Sequence, residues 1–559
     1  MDNKKKTFLH IRIAVLSTTA LLIVGCANNN GQVSSNTQPT SEEEKYNIVR
    51  PDFEPDYETY EVTQNPSGIN VVYYSDIYSR GFSWLTDKET EDTELYLVKS
   101  DKGKDADFSN AEVINGTSLE ITYEQGAKFS SKDNVIPAYT KSNKTSTSIE
   151  DVTCNIHKVH VTNLEKGKAY SYKIGSSAGY AYGAFIVEKD NPQTITAVNF
   201  SDAQTKEADK HPVWRNTMMK AVNQAGADLD LVIHNGDQFD QNMGKVHSSD
   251  AKTPARLLRY AKALDVVSDY KFNLPYMASS GNHEETIPYS QYIMNDVDFG
   301  GYDTDGAYYS FDYGFAHFVI LNSNSVNDEQ INWLKDDLDR ASDAKWKIVA
   351  LHISPYSTGD NSNSSENQNI VAKFTPVFSE KHVDLVFQAH DHTYSKTLPY
   401  RWDAAGFTTT WNNDEVVNLE PETEDIDGIT YDKNPDGTYY VTTGAAGHRV
   451  GEVEKSSGIW SDVVKDGDSW KGLDPSKTFL SNKYKIELGT LKYANQYKPY
   501  TQGSYTSAQD YQVGDLATGN VNAQMFGVLN LNETTLNYNV YTVNDDEVKL
   551  FDSLDVIKA

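Results

Sequence analysis

The chain has 559 residues, and 50 Lys and Arg against 80 Asp and Glu give it a net charge of −30 at pH 7. This length predicts three or four modules of roughly 150 residues each. An aromatic content of 11% argues against wholesale disorder. The acidic balance excludes a protein that binds nucleic acid through its overall charge, and a mean hydropathy of −0.60 excludes several membrane spans. Any phosphate chemistry must therefore rely on a local positive centre.

Residues 1–26 predict a secretory signal. A basic start, with Lys4 to Lys6 and Arg12, is followed by the apolar run Ile13–Val24. This run is shorter than the ~20 residues that a membrane-spanning helix needs. The stretch Leu22–Cys26 resembles a bacterial lipobox, which implies lipidation of Cys26 and a protein anchored to the outside of the cell membrane. An ordinary cleaved signal, and hence a secreted protein, is the alternative.

Residues 27–49 predict a flexible tether because they are mostly polar. From residue 50 to 190, short runs of alternating apolar and polar residues predict a β-sandwich with no helical pattern. The predicted strands are Gly68–Tyr74, Gly81–Leu85, Glu94–Val98, Leu119–Tyr123, Cys154–Val161 and Ala169–Ile174. Ser83–Trp84 and Val161–Tyr172 resemble strands of fibronectin type III domains, similar to the N-terminal module of purple acid phosphatases.

Residues 191–559 alternate strand-like and helix-like segments, which predicts a layered α/β domain. Strands are predicted at Thr194–Phe200, Leu229–His234, Pro275–Ala278, Lys347–Leu351 and Val383–Phe387, and helices at Val213–Ala225, Pro254–Asp269, Asp328–Ala341 and Asn369–Glu380. Residues 403–436 and 450–512 predict long insertions around a strand at Thr438–Thr443. The last predicted strands are Phe526–Leu531, Thr535–Tyr541 and Val548–Ile557.

Five short polar motifs each follow the end of a predicted strand. They are Ser201–Gln204, Gly236–Asp240, Gly281–Glu284, Leu351–His352 and Ala389–His392. Ligands collect at the carboxyl edge of α/β sheets, so these motifs predict a single site. Carboxylate and amide oxygens together with imidazole nitrogens suit divalent ions such as Mn, Fe or Zn.

In order and placement, these motifs resemble those of the calcineurin-like metallophosphoesterases, specifically the purple acid phosphatase-like branch. The resemblance covers about residues 50–400 and the terminal strands, and it implies a four-layer β-α-α-β sandwich for the catalytic domain. It also implies two divalent metal ions, with Asp237 bridging both. The remaining implied ligands are Asp202 and His392 for the first ion, and Asn282, His352 and His390 for the second.

The resemblance implies an acid phosphatase-like enzyme that hydrolyses phosphomonoesters through a metal-activated hydroxide. Asp237 and His283 would be catalytic, with His283 as proton donor to the leaving group or as a group that orients the phosphate. The partner is then a small phosphate-ester substrate, and only the lipid anchor contacts the membrane. A phosphodiesterase acting on nucleotides or envelope polymers is one alternative. A surface binding protein with a vestigial or structural metal site is another.

The sequence departs from the family pattern at three positions. Asp240 stands where purple acid phosphatases place a tyrosine, so no tyrosinate–iron chromophore is expected. Gln204 stands where the wider superfamily has a metal-binding histidine, and Ala389 replaces a glycine. Gln204 and Asp240 are therefore candidate ligands or supporting residues. Tyr394 matches an aromatic residue common in the family and is predicted to line the substrate pocket.

Overall fold

The computed structural model describes most of the chain beyond residue 45. The described ranges are 46–123, 152–188, 192–206, 208–241, 254–287, 289–293, 300–303, 306–356, 361, 364–397, 399–402, 416–418, 421–448, 464–466, 469–471, 500–501, 524–544 and 547–558. The predicted signal with Cys26, the tether to residue 45 and most of the predicted insertion 450–512 lie outside them. None of the helices in these ranges is long and apolar enough to cross a membrane.

The N-terminal module consists of two four-stranded antiparallel sheets. Its strands are β1 (Ser67–Val72), β2 (Arg80–Asp87), β3 (Glu94–Lys99), β4 (Glu112–Asn115), β5 (Thr117–Tyr123), β6 (Val152–Val161), β7 (Ala169–Ser176) and β8 (Gly179–Ile186). The sheet orders are β1-β2-β6-β5 and β4-β3-β7-β8. Alternate apolar residues such as Trp84, Leu95 and Val159 form the core between them. The predicted strands are thus confirmed, and the fibronectin type III assignment stays a prediction.

The remaining elements form the α/β domain. They are β9 (Ile195–Phe200), α1 (His211–Ala225), β10 (Leu231–His234), α2 (Arg256–Asp265), α3 (Ser268–Lys271), β11 (Tyr276–Ala278), α4 (Tyr289–Tyr292), β12 (Gly300–Asp303), β13 (Gly306–Tyr313), β14 (Ala316–Ile320), α5 (Asp328–Arg340), β15 (Trp346–Ile353), α6 (Ser365–Lys373), α7 (Thr375–Glu380), β16 (Leu385–Ala389), β17 (Thr393–Lys396), β18 (Tyr400–Trp402), β19 (Val416–Asn418), β20 (Glu422–Ile426), β21 (Ile429–Lys433), β22 (Tyr439–Thr443), β23 (Val464–Asp466), β24 (Ser469–Lys471), β25 (Tyr500–Thr501), β26 (Gln524–Leu531), β27 (Thr535–Asn544) and β28 (Glu547–Ile557).

Two eight-stranded sheets form the centre of this domain, in the orders β11-β10-β9-β26-β27-β28-β21-β20 and β12-β13-β14-β15-β16-β22-β17-β25. Ile195 of the first sheet and Phe387 of the second belong to one core between the sheets. The outer faces are covered by helices, with Trp214 of α1 on the first sheet and Leu334 of α5 on the second. The layer order is therefore α-β-β-α, and the predicted order β-α-α-β is wrong.

The physical reason for this layer order is that the central strands are apolar on both faces. On β9, Ala197 points into the core between the sheets, whereas Val198 packs among the residues of α1 and α2. A sheet that is apolar on both sides must be covered on both sides. The opposite sheet covers one face and the amphipathic helices cover the other, which leaves the polar faces of the helices to the solvent.

Several strands were not predicted. Strands β12 and β13 occupy residues 300–313, between the predicted strand Pro275–Ala278 and the predicted helix Asp328–Ala341. The hairpin β20–β21 lies within the predicted insertion 403–436 and extends the first sheet through pairing of β21 with β28. The residues of β20, Glu-Thr-Glu-Asp-Ile, are mostly polar because the strand lies at the sheet edge, so they give no strand signal.

His317 on β14 is held between two carboxylates. Its Nδ1 lies 2.7 Å from Asp312 Oδ1, and its Nε2 lies 2.9 Å from Asp337 Oδ2. Burial alone would lower the pKa of His317, but these hydrogen bonds raise it to about 9. A charged His317 therefore stabilises the contact between β14 and α5.

We expect the His317→Gln variant to lose stability mainly at acidic and neutral pH. Because the pKa in the folded state exceeds the ordinary value near 6.5, the stabilisation is complete below that pH and is lost as the pH rises through about 9. The expected difference in unfolding free energy is about 1–2 kcal/mol below pH 6.5, since Asp312 is solvent-exposed and water screens its interaction with His317. Denaturant unfolding of both proteins at pH 6 and pH 9.5 measures it. An equal difference at both pH values would contradict this account.

Candidate metal centre

The ends of neighbouring parallel strands bring the predicted ligands together. Strands β9, β10 and β11 pair in parallel, so Asp202, Asp237 and Asn282 follow three adjacent strand ends of the first sheet. In the second sheet, the parallel pair β15 and β16 carries His352 inside β15 and His390 directly after β16. The carboxyl edges of both sheets thus supply one cluster.

The six predicted ligands fall around a single carboxylate. Ligand atoms of Asp237, His352 and His390 all lie within 4.8 Å of one another, as do those of Asp202, Asp237 and His392. Asp237 belongs to both sets. The sixth predicted ligand, Asn282, places its Oδ1 3.0 Å from His352 Nε2, which itself lies 3.4 Å from Asp237 Oδ2.

The donor atoms of this cluster fit divalent cations. Gln204 Oε1 is buried and has no hydrogen-bond partner among the described residues, and the buried Asp202 Oδ1 lies 3.3 Å from His392 Nε2. Buried oxygens of this kind carry a large desolvation penalty unless a positive centre compensates it. Hard oxygens and imidazole nitrogens are the ligands that Mn, Fe and Zn accept.

Protonated histidine supplies positive charge in this cluster. Burial alone would raise the pKa of Asp237, but His352 and His283 hold it well below its ordinary value. Burial alone would lower the pKa of His352, yet the charges of Asp237 and Asp202 raise it to about 10. Because an imidazole must be neutral to bind a metal, a cation bound here would replace the proton on His352.

The backbone is strained at the same residues. Asp202, Gln204, Asp237, His390 and His392 have positive φ values of 50°, 37°, 54°, 76° and 54°. This left-handed region is unfavourable for residues other than glycine, and such strain collects at functional sites. Ala389 does not have a positive φ, so the alanine that replaces the glycine of the family pattern causes no backbone strain. The left-handed residue is the next one, His390.

Two glycines allow the strand ends to approach each other. Gly236 has a φ of 88°, and a Cβ there would lie 2.6 Å from Gly281 N and 2.9 Å from His352 Nδ1. A Cβ on Gly281 would lie 2.2 Å from Asp237 Oδ1. A side chain at either position would therefore push the predicted ligands apart.

A sequence model of the calcineurin-like phosphoesterase family matches residues 201–394, the range that contains all six predicted ligands. Residues 201–394 form a calcineurin-like phosphoesterase domain. The chain is homologous to acid phosphatases. It is 26% identical to acid phosphatase type 7 of Mus musculus over 316 residues, which cover 52% of this chain and 64% of that protein.

Two further comparisons agree with the calcineurin-like domain. Purple acid phosphatase 18 of Arabidopsis thaliana is 32% identical over 139 residues, covering 22% of this chain and 31% of that protein. The matches thus span less than two thirds of these relatives. The structure of purple acid phosphatase PPD1 from yellow lupin superposes with a TM-score of 0.54 at 15% identity, covering 88% of this chain and 74% of that one, which shows a shared fold.

The two unusual residues of the calcineurin-like domain lie beside the ligands. Gln204 donates its side-chain amide to Asp237 Oδ2 at 2.8 Å. Asp240 lies outside both sets of clustered ligand atoms; its carboxylate is 3.5 Å from His283 Nδ1 and 3.7 Å from Lys206 Nζ. Gln204 thus contacts the shared carboxylate directly, and Asp240 contacts the predicted proton donor.

Tyr394 does not line a pocket. The side chain is 1% exposed in the core between the sheets, packs against Phe551, and donates its hydroxyl to Asp552 Oδ2 at 2.5 Å. The predicted role at the substrate pocket is therefore wrong. Strand β17 turns this side chain towards β28. The position of Tyr394 in the sequence, two residues after His392, does not indicate this direction.

The hydrogen bonds of His283 define its orientation. Its backbone N–H donates to Asp237 Oδ1 at 3.0 Å, and the backbone N–H of Gln241 donates to its Nδ1 at 3.0 Å. The buried Arg259 on α2 holds the carbonyl oxygens of Asp240 and Gln241 at 3.0 and 3.1 Å. Because Nδ1 accepts a hydrogen bond, the neutral imidazole carries its proton on Nε2, which lies 3.6 Å from Asp237 Oδ2.

Glu284 is the residue that sequence reasoning missed. It belongs to the Gly281–Glu284 motif but received no role. Its carboxylate accepts the backbone N–H groups of Asp237, Gln238 and Gly281 at 2.8, 2.9 and 2.8 Å. A fully buried carboxylate with three backbone donors fixes the loop that carries Asp237. An acidic residue that directly follows the Asn-His pair was the available signal.

We expect the Glu284→Gln variant to bind metal 10- to 100-fold more weakly, the range found when a group that orients metal ligands is lost. The amide cannot accept all three backbone N–H groups, so the Asp237 loop loses its fixed position. Titration with Mn²⁺ or Zn²⁺, followed by calorimetry, measures the change. Glu285→Gln is the matched control, since it makes the same chemical change one residue further on. An unchanged affinity in Glu284→Gln would contradict the positioning role.

Proposed function

We propose that this protein hydrolyses phosphomonoesters outside the cytoplasm with a dinuclear metal centre. The calcineurin-like domain and the acid phosphatase relatives support a metal-dependent phosphoester hydrolase. One observation carries the finer proposal: two sets of ligand atoms share the single carboxylate of Asp237. A carboxylate shared in this way is the arrangement that holds two cations about 3.5–4 Å apart.

The residues of the chain have separate roles in this proposal. Asp237 would hold both ions, Asp202 and His392 would hold the first, and Asn282, His352 and His390 would hold the second. When bound, such ions polarise the phosphoryl oxygens and make a water molecule acidic enough to react near neutral pH. His283 presents its Nε2–H towards the cluster and donates to the substrate oxygen.

His283 and Lys206 supply donors beside the cluster for a small phosphate ester. Lys206 Nζ is partly exposed and lies 3.7 Å from the buried Asp240, which contacts His283 in turn. A cation at this position offsets the negative field of a chain with a net charge of −30. We propose that it attracts the phosphate group of the substrate to the His283 side of the centre.

The experiment that tests this function is a paired assay on purified protein. Metal content is measured first, and turnover is then measured on p-nitrophenyl phosphate and on bis(p-nitrophenyl) phosphate before and after chelation and reloading with Mn, Fe or Zn. We expect about two metal ions per chain and faster hydrolysis of the monoester. Faster hydrolysis of the diester would make the protein a phosphodiesterase. Bound metal without turnover on either substrate would favour the binding-protein alternative.

We also propose that Cys26 carries a lipid that anchors the protein to the outer face of the cell membrane. The support is the lipobox-like stretch Leu22–Cys26 and the polar tether that follows. Metabolic labelling with a fatty acid, compared between the full chain and its Cys26→Ser variant, tests this. Label in the full chain alone supports the anchor, whereas a cleaved, unlabelled and released protein would show secretion.

A further inference from the structure

A cavity of about 560 Å³ lies between the N-terminal sandwich and the α/β domain. Its walls come from three places: β1, β7 and β8 of the sandwich, the segment 51–56 that precedes it, and the α2–α3 region. Ligand sites occur preferentially at domain interfaces and measure about 300–1,000 Å³. The cavity shares no residue with the metal cluster.

Four aromatic residues line the cavity. Phe53 lies on the N-terminal segment, Tyr172 and Tyr182 on the sandwich, and Phe272 after α3. Tyr172 donates its hydroxyl to Phe272 O at 2.9 Å, which fixes two of these residues against each other. Tyr182 is 39% exposed, so its ring is accessible to a ligand.

The charged groups of the wall are predominantly acidic. Five carboxylates and two ammonium groups line the cavity. Both ammonium groups are engaged by backbone carbonyls, since Lys262 Nζ donates to Asp56 O at 2.8 Å and Lys271 Nζ donates to Ile69 O. Among the carboxylates, Asp265 accepts the backbone N–H of Gly68 at 2.6 Å. Burial raises the pKa of Asp265 to about 6, although the Gly68 N–H and the charges of Lys262 and Lys271 act in the opposite direction.

The neighbouring part of the molecule already holds cations in the same kind of environment. The guanidinium of Arg215 lies 5.3 Å from the ring centre of Phe53 and 4.8 Å from that of Tyr270, and it donates to Asp269 Oδ2 at 2.9 Å. Arg50 lies 4.5 Å from the Tyr270 ring. Aromatic faces and a carboxylate together are the environment that a weakly hydrated cation prefers.

We propose that this cavity binds an organic cation with an apolar body, such as an alkylammonium compound. The ammonium head contacts Asp265, and the alkyl groups contact the faces of Phe53 and Tyr182. A neutral molecule of the same shape would gain the apolar contacts but not the charge interaction. An anion would meet five carboxylates against two ammonium groups, so we expect it to bind more weakly than the cation.

Calorimetric titration of the full chain with choline, and separately with its neutral isostere 3,3-dimethylbutan-1-ol, tests the proposal. We expect saturable binding of choline, at least about 10-fold weaker binding of the isostere, and the same choline affinity before and after metal chelation. Equal affinity for the two compounds, or no saturation by choline up to about 10 mM, would overturn the proposal. The hydrolytic function is untouched by either outcome, since the probes lack phosphate.

Two variants locate the bound cation. Asp265→Asn is expected to lower the choline affinity about 10-fold, and Tyr182→Ala about 5-fold. Tyr180→Ala is the matched control, because Tyr180 lies two residues earlier on β8 and does not line the cavity. Tyr182 is solvent-accessible, so its replacement leaves the fold intact even if Asp265→Asn unfolds. Choline affinity that is unchanged in Tyr182→Ala, or equally reduced in Tyr180→Ala, would overturn the assignment to this cavity.

Discussion

The Asp237→Asn variant is expected to lose at least about 10³-fold in turnover and to bind fewer than two metal ions per chain. Asp237 belongs to both sets of ligand atoms, and its backbone and side chain also meet Glu284, Gln204 and His283. Removal of a single transition-state donor already costs 10²–10³ in other enzymes, and a bridging carboxylate serves two cations. Metal analysis and turnover on p-nitrophenyl phosphate measure the two losses.

Asp337→Asn is the matched control for this variant. Asp337 is likewise a buried carboxylate beside a histidine, with its Oδ2 2.9 Å from His317 Nε2, but it lies on α5 and outside the metal cluster. We expect it to lower the free energy of unfolding while metal content and turnover per folded protein stay at the wild-type level. Full turnover in Asp237→Asn, or equal losses in both variants, would contradict the dinuclear proposal.

The His283→Ala variant is expected to lose about 10²- to 10⁴-fold in kcat, the usual contribution of a general acid, while its metal content stays unchanged. His283 lies outside both sets of clustered ligand atoms, yet its Nε2 is 3.6 Å from Asp237 Oδ2. A group that touches the substrate but no metal should affect turnover without affecting metal occupancy. Steady-state kinetics with parallel metal analysis separate the two.

His160→Ala serves as the control for His283→Ala. His160 stacks on Tyr74 with 3.7 Å between ring centres, in the N-terminal sandwich, and it should be neutral for both kinetics and metal content. Retained turnover in His283→Ala would favour the reading as a surface binding protein. Loss of metal in the same variant would instead make His283 part of the metal shell and would contradict its assignment as a proton donor.

The part of the site that could be predicted from the sequence is the part encoded locally. Asp202, Asp237 and Asn282 each follow a short apolar strand, and parallel strands end at a common edge. The strand predictions at Leu229–His234 and Pro275–Ala278 differ from the structure by one or two residues, which was sufficient to place the polar motifs. The prediction that ligands from both sheets gather around Asp237 came from the resemblance to a known family.

The part that could not be predicted depends on long-range packing. The layer order follows from which face of β9 meets the other sheet, and a strand that is apolar on both faces does not encode this choice. Strand β20 is mostly polar because it lies at the edge of the first sheet. The position of Glu284 after the Asn-His pair could have drawn attention to it, but its role depends on the backbone N–H groups of Asp237 and Gln238, which only the folded loop brings to its carboxylate. The direction of Tyr394 is set by its contact with Asp552.

Because β26 pairs with β9 in the first sheet, this sheet cannot be completed until most of the chain has been synthesised. Strand β26 pairs with β9, and the side chains of Thr196 and Asn530 that join them are 334 residues apart. At a translation rate of about 5–20 residues per second, β9 stays without this neighbour for roughly 17 to 67 s on the ribosome. Its open edge is an aggregation hazard throughout that interval. A nascent chain that stops before Gln524 lacks the strand that covers this edge of β9, so we expect a truncated product to aggregate and not to act as a smaller enzyme.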